Sequence, residues 1–221
     1  MSVPELLIAS AIVAAVGSGL AAVTTHAQRS FIVEQEVADL TQRLRAAVDA
    51  LTTDFRNARM IWPYRVGAVG HDPAAGVFFR ANTVSVLLSS ANGTNTTRTY
   101  YLTQAPGTPQ LSRYDGGGGD FPIVPDVVDL SFEYFGDDII PAGMLTDGPW
   151  YPDDVSVDRF DVDLLQIRRV RVRVRLQAPI AFRGTASPLF LRGGTASSIS
   201  RAVPDRQAKF DVTLRNFDAR R

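Results

Sequence analysis

The chain has 221 residues, and its 23 basic and 23 acidic residues give a formal net charge of zero at neutral pH. This balance excludes nucleic-acid binding that is driven by overall charge alone. The chain has no cysteine, which excludes a disulfide framework, a thiolate metal site and a cysteine nucleophile. The residues after position 28 suffice for one domain with a hydrophobic core.

The N-terminal segment is apolar and long. The residues from Leu6 to Gln28 carry no formal charge, and Glu5 stands directly before them. A helix of that length reaches roughly 35 Å, which is enough to cross the hydrocarbon core of a bilayer. Because a carboxylate at the end of such a helix is costly without a partner, Glu5 is a functional candidate.

Two general interpretations of this segment are a secretory signal peptide and a plain membrane anchor. A signal peptide begins with basic residues and has a shorter apolar run, but no basic residue precedes Arg29 here. A plain anchor has the right length and gives Glu5 no role.

A third interpretation follows from the register of the first seven residues, Met1–Leu7. They resemble the mature N-terminus of the type IV pilin superfamily, in which a leader is removed, Glu is the fifth residue and a hydrophobic helix follows. Pro4 departs from the usual aliphatic residue, but proline is tolerated in the first helical turn. The resemblance implies that Met1 has an N-methylated amine and that Glu5 pairs with this amine in a neighbouring subunit.

Gly17 and Gly19 lie inside the apolar helix. Each glycine weakens a helix by about 1 kcal/mol relative to alanine. They indicate either local flexibility in a filament or close packing of a neighbouring helix, since small residues line membrane helix interfaces. Both interpretations stay open.

The helical pattern continues beyond the apolar segment and becomes amphipathic. No proline interrupts it between Glu5 and Pro63. The spacing predicts one helix of about 55 residues, roughly 80 Å long, whose second half packs on a sheet. The apolar face consists of Val37, Leu40, Leu44, Ala47, Val48, Leu51, Phe55 and Ala58.

After Pro63 the pattern changes to the period of two that is typical of strands. Asn92-Gly93 favours a tight hairpin, and the glycine run 116–119 is a turn because no phosphate-loop motif accompanies it. The predicted strands cover 76–80, 83–88, 97–102, 110–114, 127–135, 167–176 and 209–216.

The clearest strand alternates valine with arginine from Ile167 to Leu176. Such alternation predicts one buried face and one arginine face, formed by Arg169, Arg171, Arg173 and Arg175. This face is either a surface for DNA, lipid headgroups or other anions, or a solvated face that pairs with acids. The acids near it in the sequence are Asp126, Asp129, Glu133, Asp153, Asp154, Asp158, Asp161 and Asp163.

The order of these elements resembles one branch of the superfamily, the W-type minor pilins and the J-type pseudopilins of type II secretion. The segments that carry the resemblance are 40–60, 111–114, 123–134, 167–176 and 212–216. It implies an α+β fold in which a long N-terminal helix packs on an antiparallel β-sheet domain. We expect 1–28 to form the membrane and filament-core half of the helix, 29–62 its amphipathic half, and 63–221 a β-rich head.

The resemblance implies a structural subunit of a type IV pilus-like filament, held in the inner membrane and polymerised through its helix by the pilus assembly machinery. Its partners are copies of itself or other pilins, in an extracellular pilus that serves adhesion or motility or in a periplasmic pseudopilus that serves secretion. The alternatives are a minor pilin or pseudopilin that initiates or caps the filament, and a pilus-tip module that binds DNA or a surface.

We expect no enzymatic activity and no cofactor. His26 and His71 lie far apart in the predicted elements and no nucleophile-elbow motif occurs, although a Ser-His-Asp set assembled by the fold leaves no mark in a sequence. Calcium is the one metal for which the sequence offers a candidate site, because calcium prefers oxygen ligands. This site would use the acid-rich stretch of Asp153, Asp154, Asp158, Asp161 and Asp163, although its spacing does not match an EF-hand.

Overall fold

The computed structural model describes residues 2–64, 80–89, 93–104, 108–116, 119–136, 167–194 and 202–214. These residues form one long N-terminal helix packed with antiparallel sheets. The predicted α+β class is therefore confirmed. Residues 76–79 and 215–216 of the predicted strands lie outside the described residues.

Helix α1 runs without interruption from Val3 to Asn57 and has 55 residues. Ser2 is its N-cap, and Pro4 lies in the first turn, where a missing N–H group costs nothing. At the other end, Ala58 has an extended backbone, so the helix ends at Asn57 and residues 58–62 form a strand. The predicted helical boundary at residue 62 is therefore wrong by five residues. Pro63 follows directly, and the residue before a proline is disfavoured in the helical conformation.

The first sheet has five antiparallel strands in chain order. The hairpin between the second and third strands turns through Gly93, whose positive φ of 77° favours glycine. The first and the fifth strands of this sheet are not among the predicted strands. The strands are β1 (Ala58–Trp62), β2 (Val84–Ser89), β3 (Asn95–Gln104), β4 (Pro109–Tyr114) and β5 (Asp120–Pro125).

The second sheet has three antiparallel strands, β6 (Val127–Phe135), β7 (Arg169–Leu176) and β8 (Arg206–Thr213), with β7 in the centre. Asp126 separates β5 from β6 and has a φ of 59°, a left-handed conformation that Asp tolerates better than most side chains. The chain thus passes from one sheet to the other at this residue. The β-rich head therefore has two sheets where one was expected.

The core lies between α1 and both sheets. The ring of Phe55 packs edge-on against Tyr100 of β3, with centroids 6.1 Å apart, and against Phe132 of β6, at 5.9 Å. The predicted apolar face of the helix is confirmed, because all its members are buried or pack partly buried against the core. The alternation of β7 is confirmed as well, since Val170, Val172, Val174 and Leu176 are buried.

Strand β6 runs in the same direction as α1. The Arg43 guanidinium lies 3.1 Å from Asp126, just before β6, and Phe55 packs on Phe132 further along the strand. The path along the helix from Arg43 to Phe55 and the path along the strand from Asp126 to Phe132 agree in length, since 12 helical residues rise about 18 Å and six strand residues about 20 Å. Because β7 is antiparallel to β6 and β8 antiparallel to β7, one end of this sheet points towards the apolar half of α1. We call this end, formed by residues 126–127, 176–177 and 205–206, the proximal end of the head.

Candidate assembly site and its surroundings

Glu5 is the third residue of α1 and caps the helix of its own chain. Its Oε2 accepts a hydrogen bond from the backbone N–H of Ser2 at 2.8 Å. This is one half of a capping box, and the negative charge also interacts favourably with the helix dipole. Met1 lies outside the described residues, so the predicted role of its amine stays a prediction.

The first half of α1 is exposed in the single chain. An 18-residue window of the helix has a mean hydropathy of 2.3 and none of it is buried, so the helix is long and apolar enough to cross a membrane. Contiguous apolar surface of this kind marks contact with a membrane or with other chains. The large exposed side chains are Val3, Leu6, Leu7, Ile8, Ile12, Val13, Val16, Leu20 and Val23.

Gly17 and Gly19 lie within this exposed half, and the helix is continuous through both. A Cβ added at either position would have no neighbouring atom within 4 Å. Packing within the described chain therefore does not require glycine here. Flexibility and close approach of another helix both stay predictions for these residues.

The arginine face of β7 is lined with ion pairs. Arg171 Nε lies 2.8 Å from Asp211 Oδ1 on β8, and Nη1 lies 3.6 Å from Glu133 on β6. Arg173 Nε lies 3.5 Å from Asp129 and donates a hydrogen bond to Ser131 Oγ at 3.1 Å. These contacts match the second of the two interpretations, in which acids of neighbouring strands pair with the arginines.

The two outer arginines of this face have other contacts. The guanidinium of Arg169 lies over the ring of Phe135 at 4.6 Å. Arg175 Nε lies 2.8 Å from Asp205 Oδ2, whose side chain is only 2% exposed. Neither Asp205 nor Asp211 is among the partners predicted from the sequence. The register of β7 with β8, which places Asp211 opposite Arg171, is the signal that identifies the second of them.

The pair of Arg171 and Asp211 is strong enough to affect titration. The hydrogen bond from Arg171 lowers the pKa of the Asp211 carboxyl below its ordinary value of 3.8. The carboxylate therefore stays charged at neutral pH and cancels much of the field of this arginine. The anion-binding hypothesis for β7 stays a prediction.

A second polar network, which sequence reasoning missed, joins α1 to β3. Asp54 is buried on the helix, where it receives the guanidinium of Arg98 at 2.7 Å and the hydroxyl of Tyr100. Burial of Tyr100, reinforced by the Asp54 carboxylate, raises the pKa of this phenol far above its usual range. The signal in the sequence is the position of Asp54, an acid on the apolar face of the helix three residues after Leu51.

A third network surrounds Arg43 at the proximal end of the head. This guanidinium reaches Glu36 at 3.1 Å, Asp39 at 2.8 Å and Asp126 at 3.1 Å. Asp126 also lies 3.4 Å from the buried Arg183. Burial raises the pKa of Glu36, although Arg43 partly offsets the rise. Asp126, expected near the arginine face, therefore binds the helix instead.

The candidate calcium ligands, Asp153, Asp154, Asp158, Asp161 and Asp163, all lie outside the described residues, as does His71. Within the described ranges, no group of three or more His, Cys, Asp or Glu side chains could hold a metal ion. The calcium site of the acid-rich stretch stays a prediction.

No protein-family model matches the sequence, and no curated protein matches it significantly. Among solved structures, the chain is similar to a type IV-like pilin from Thermus thermophilus, with 12% sequence identity. The similarity covers 80% of this chain and 98% of that one, with a TM-score of 0.37.

Proposed function

We propose that the protein is a structural subunit of a type IV pilus-like filament, held in the inner membrane before assembly and polymerised through α1. The observation that carries the proposal is the helix itself. It exposes an apolar first half, begins with a single carboxylate, and packs on the head only with its second half. The resemblance of Met1–Leu7 to mature pilins supports the same function.

The exposed apolar half needs a cover that the single chain does not provide. Before assembly, the lipid bilayer supplies it, because the segment has the length and hydropathy of a membrane-spanning helix. In the filament, the helices of other subunits take the place of the lipid. In this proposal residues 1–28 form the filament core, 29–57 are the helical half that packs on the head, and β1 (Ala58–Trp62) together with residues 63–221 forms the head.

Glu5 sets the register between subunits in this proposal. A carboxylate inside an apolar bundle is costly unless a positive charge pairs with it. The partner is the N-methylated amine of Met1 in an adjacent subunit, and this pairing favours one axial stagger over others. Capping and pairing are compatible, because a carboxylate has about four acceptor sites and the bond from Ser2 uses one.

Two substitutions separate the charge of Glu5 from its capping role. Glu5→Gln keeps a side chain that can accept the Ser2 N–H bond but removes the charge, whereas Glu5→Ala removes both. We expect both variants to be expressed and inserted in the membrane, and both to be nearly absent from filaments. The measurement is the amount of each variant in sheared filaments relative to the membrane fraction.

Glu34→Gln is the matched control, because Glu34 is an exposed acid on the same helix outside the apolar half. We expect it to enter filaments at the wild-type level. If Glu5→Gln also enters at the wild-type level, charge pairing does not direct assembly and this part of the proposal is wrong. If only Glu5→Ala is lost, capping of the helix is the function of Glu5.

The alternatives within this class are a minor pilin or a pseudopilin that initiates or caps the filament. Electron cryo-microscopy and mass spectrometry of filaments from native cells separate them. Filaments made mainly of this chain, with a methylated Met1, identify a major subunit. Filaments made of another protein, with this chain at trace level, identify a minor pilin or a pseudopilin.

A further inference from the structure

The segment that follows β7, Gln177–Gly194, lies at the proximal end of the head. The backbone N–H of Gln177 donates to the carbonyl of Asp126 at 2.9 Å, and Arg183 reaches the side chain of Asp126, which Arg43 of the helix also contacts. The segment therefore occupies the end of the head that faces the apolar half of α1.

This segment exposes apolar side chains next to one basic side chain. Ile180 is 51% exposed, Leu189 64% and Leu191 47%, and Arg192 is exposed beside them. The sequence contains no acidic residue from Leu164 to Pro204. Exposed aliphatic side chains beside an arginine, on a segment that itself has no acidic residue, have the chemistry of a surface that meets anionic lipid headgroups.

The exposed side chains are carried by a fixed backbone. Asp205 Oδ2 accepts hydrogen bonds from Arg175 and from the Leu191 N–H, both at 2.8 Å, and the Asp205 N–H donates to the Leu189 carbonyl at 2.9 Å. Gln177 Nε2 donates to the Arg192 carbonyl at 3.1 Å. A buried polar frame thus holds Leu189 and Leu191 outward.

The segment folds back on itself at two glycines. The Gly194 N–H donates to the Gly184 carbonyl at 3.1 Å. A Cβ on Gly184 would lie 2.7 Å from the ring of Phe190, and one on Gly194 would lie 2.8 Å from the Ile180 carbonyl oxygen. A side chain at Gly194 would clash with backbone, and one at Gly184 would have to displace the Phe190 ring, so glycine at these positions favours the compact shape of the segment.

When α1 spans a bilayer up to Gln28, the head begins at the height of the headgroup layer. Val33 of α1 packs partly buried against the core, five residues or about 8 Å beyond Gln28. The headgroup layer on each side of a bilayer is of similar thickness, about 5–8 Å. At the same height, the helix exposes Phe31 and Ile32. The apolar surface of the membrane-spanning helix therefore continues towards the proximal end of the head.

We infer that Gln177–Gly194 is a lipid-contact platform, which rests on the surface of the membrane before the subunit is assembled. Ile180, Leu189 and Leu191 enter the boundary between headgroups and acyl chains, and Arg192 lies against anionic headgroups. The inference rests on the proposed function, because it requires α1 to span the bilayer. It adds a second membrane contact, which limits the tilt of the head and is given up when the subunit leaves the bilayer.

The lack of cysteine allows single fluorescent labels on the full chain. An environment-sensitive dye on Leu189→Cys reports on the platform, and the same dye on Thr213→Cys reports on an exposed site at the opposite end of β8. Ala15→Cys reports on the apolar half of α1. The full chain is reconstituted at low protein-to-lipid ratio in phosphatidylcholine vesicles, with and without anionic phosphatidylglycerol, and nitroxide lipids quench at headgroup depth.

We expect the emission of the Leu189 label to shift to shorter wavelength. Nitroxide lipids should quench it at least about twofold more strongly than they quench the Thr213 label, most clearly in anionic vesicles. Arg192→Glu in the Leu189-labelled chain should weaken this quenching in anionic vesicles and leave it unchanged in neutral ones. Circular dichroism verifies that each labelled chain is folded.

Three outcomes overturn the inference, and they differ in what else they exclude. If the Ala15 label is in the bilayer but the Leu189 label behaves as the Thr213 label does, the platform is wrong and the proposed function stands. If the Ala15 label is not in the bilayer, the membrane location in the proposed function fails as well. If the Leu189 label is shielded only at high protein-to-lipid ratio, its cover is a second copy of the chain and not lipid.

Discussion

Asp54 of the helix and Arg98 of β3 meet at 2.7 Å inside the contact between α1 and the five-stranded sheet. Tyr100, two residues further along the same strand, donates its hydroxyl to the same carboxylate. Arg98 also reaches Asp115, which lies 3.4 Å away and directly follows β4. One helical acid is thus held by two donors from one strand, which fixes the position of the helix along the sheet.

Asp54→Asn should lower the free energy of unfolding of the head by about 2–3 kcal/mol, because it leaves Arg98 without its closest counter-charge. This loss is at the lower end of what breaking a buried ion pair costs, because the Arg98 side chain is 29% exposed. Urea unfolding of the full chain in detergent micelles, followed by tryptophan and tyrosine fluorescence, measures the change.

Asp49→Asn is the control for this substitution, since Asp49 is exposed on the same helix. Its effect should stay within about 0.5 kcal/mol, as for most surface changes. Equal unfolding midpoints for Asp54→Asn and Asp49→Asn would mean that the Asp54 network does not hold the helix on the sheet.

Arg43→Met should destabilise the head by about 2–4 kcal/mol at neutral pH, because Glu36 and Asp126 then lose their shared partner in a partly buried site. Arg45→Met, at an exposed position two residues away, is the matched control and should have little effect. Equal destabilisation by the two variants would show that loss of any helical arginine, and not loss of this network, is responsible.

The loss caused by Arg43→Met should also depend on pH. Burial raises the pKa of Glu36 above its ordinary value of 4.5, and Arg43 opposes the rise. A carboxyl with a raised pKa binds protons more readily in the folded than in the unfolded protein. Its ionisation therefore costs stability as the pH rises from 4.5 through the folded pKa, and this cost is larger when Arg43 is missing. The difference between wild type and variant should therefore shrink as the pH is lowered towards 4.5. A difference that is constant from neutral to acidic pH contradicts this assignment.

The sequence predicts which faces are buried better than it predicts which charges meet. The period of α1 and the alternation of β7 are local properties, so their buried faces agree with expectation. The partners of the arginines depend on the order and register of β6, β7 and β8, which bring Asp211 opposite Arg171 from 40 residues away. The hydrophobic period of a strand predicts which of its faces is buried. It does not predict which residue lies opposite on the neighbouring strand.

The two unpredicted strands have different physical reasons. Strand β1 follows the helix directly, and Ala58 still fits the helical spacing after Phe55, so no local signal separates the two elements. Strand β5 contains Pro122 and Pro125, which argue against a central strand. It lies at the edge of its sheet, where proline is tolerated.

The ion pair of Asp211 and Arg171 should contribute to stability in a pH-dependent way, and the sign of this dependence is opposite to that of Glu36. Because the pKa of Asp211 is lowered in the folded protein, its contribution is fully present above the ordinary value of 3.8 and is lost as the pH falls through the folded value. Asp211→Asn should therefore lower Tm slightly at neutral pH, and the difference from wild type should close below 3.8. A difference that persists at lower pH means that packing, and not ionisation, is responsible.

The arginine face of β7 should not bind DNA appreciably in the wild-type protein. Arg171 and Arg173 already lie against Asp211, Glu133 and Asp129, so few of their charges are available to replace the counterions of a phosphate backbone. Fluorescence anisotropy of a labelled DNA duplex, titrated with the full chain in detergent at several salt concentrations, should show no salt-sensitive binding that Arg171→Ser/Arg173→Ser removes.

Neutralising the acids that pair with Arg171 provides the positive control for the expected lack of DNA binding. Asp211→Asn/Glu133→Gln frees Arg171 without changing the strand register, and this variant should gain weak binding that weakens as salt is added. If the wild-type chain instead binds DNA with a clear salt dependence that the double serine variant abolishes, the ion pairs do not neutralise the face. The DNA-binding pilus-tip module would then become the better supported role for the head.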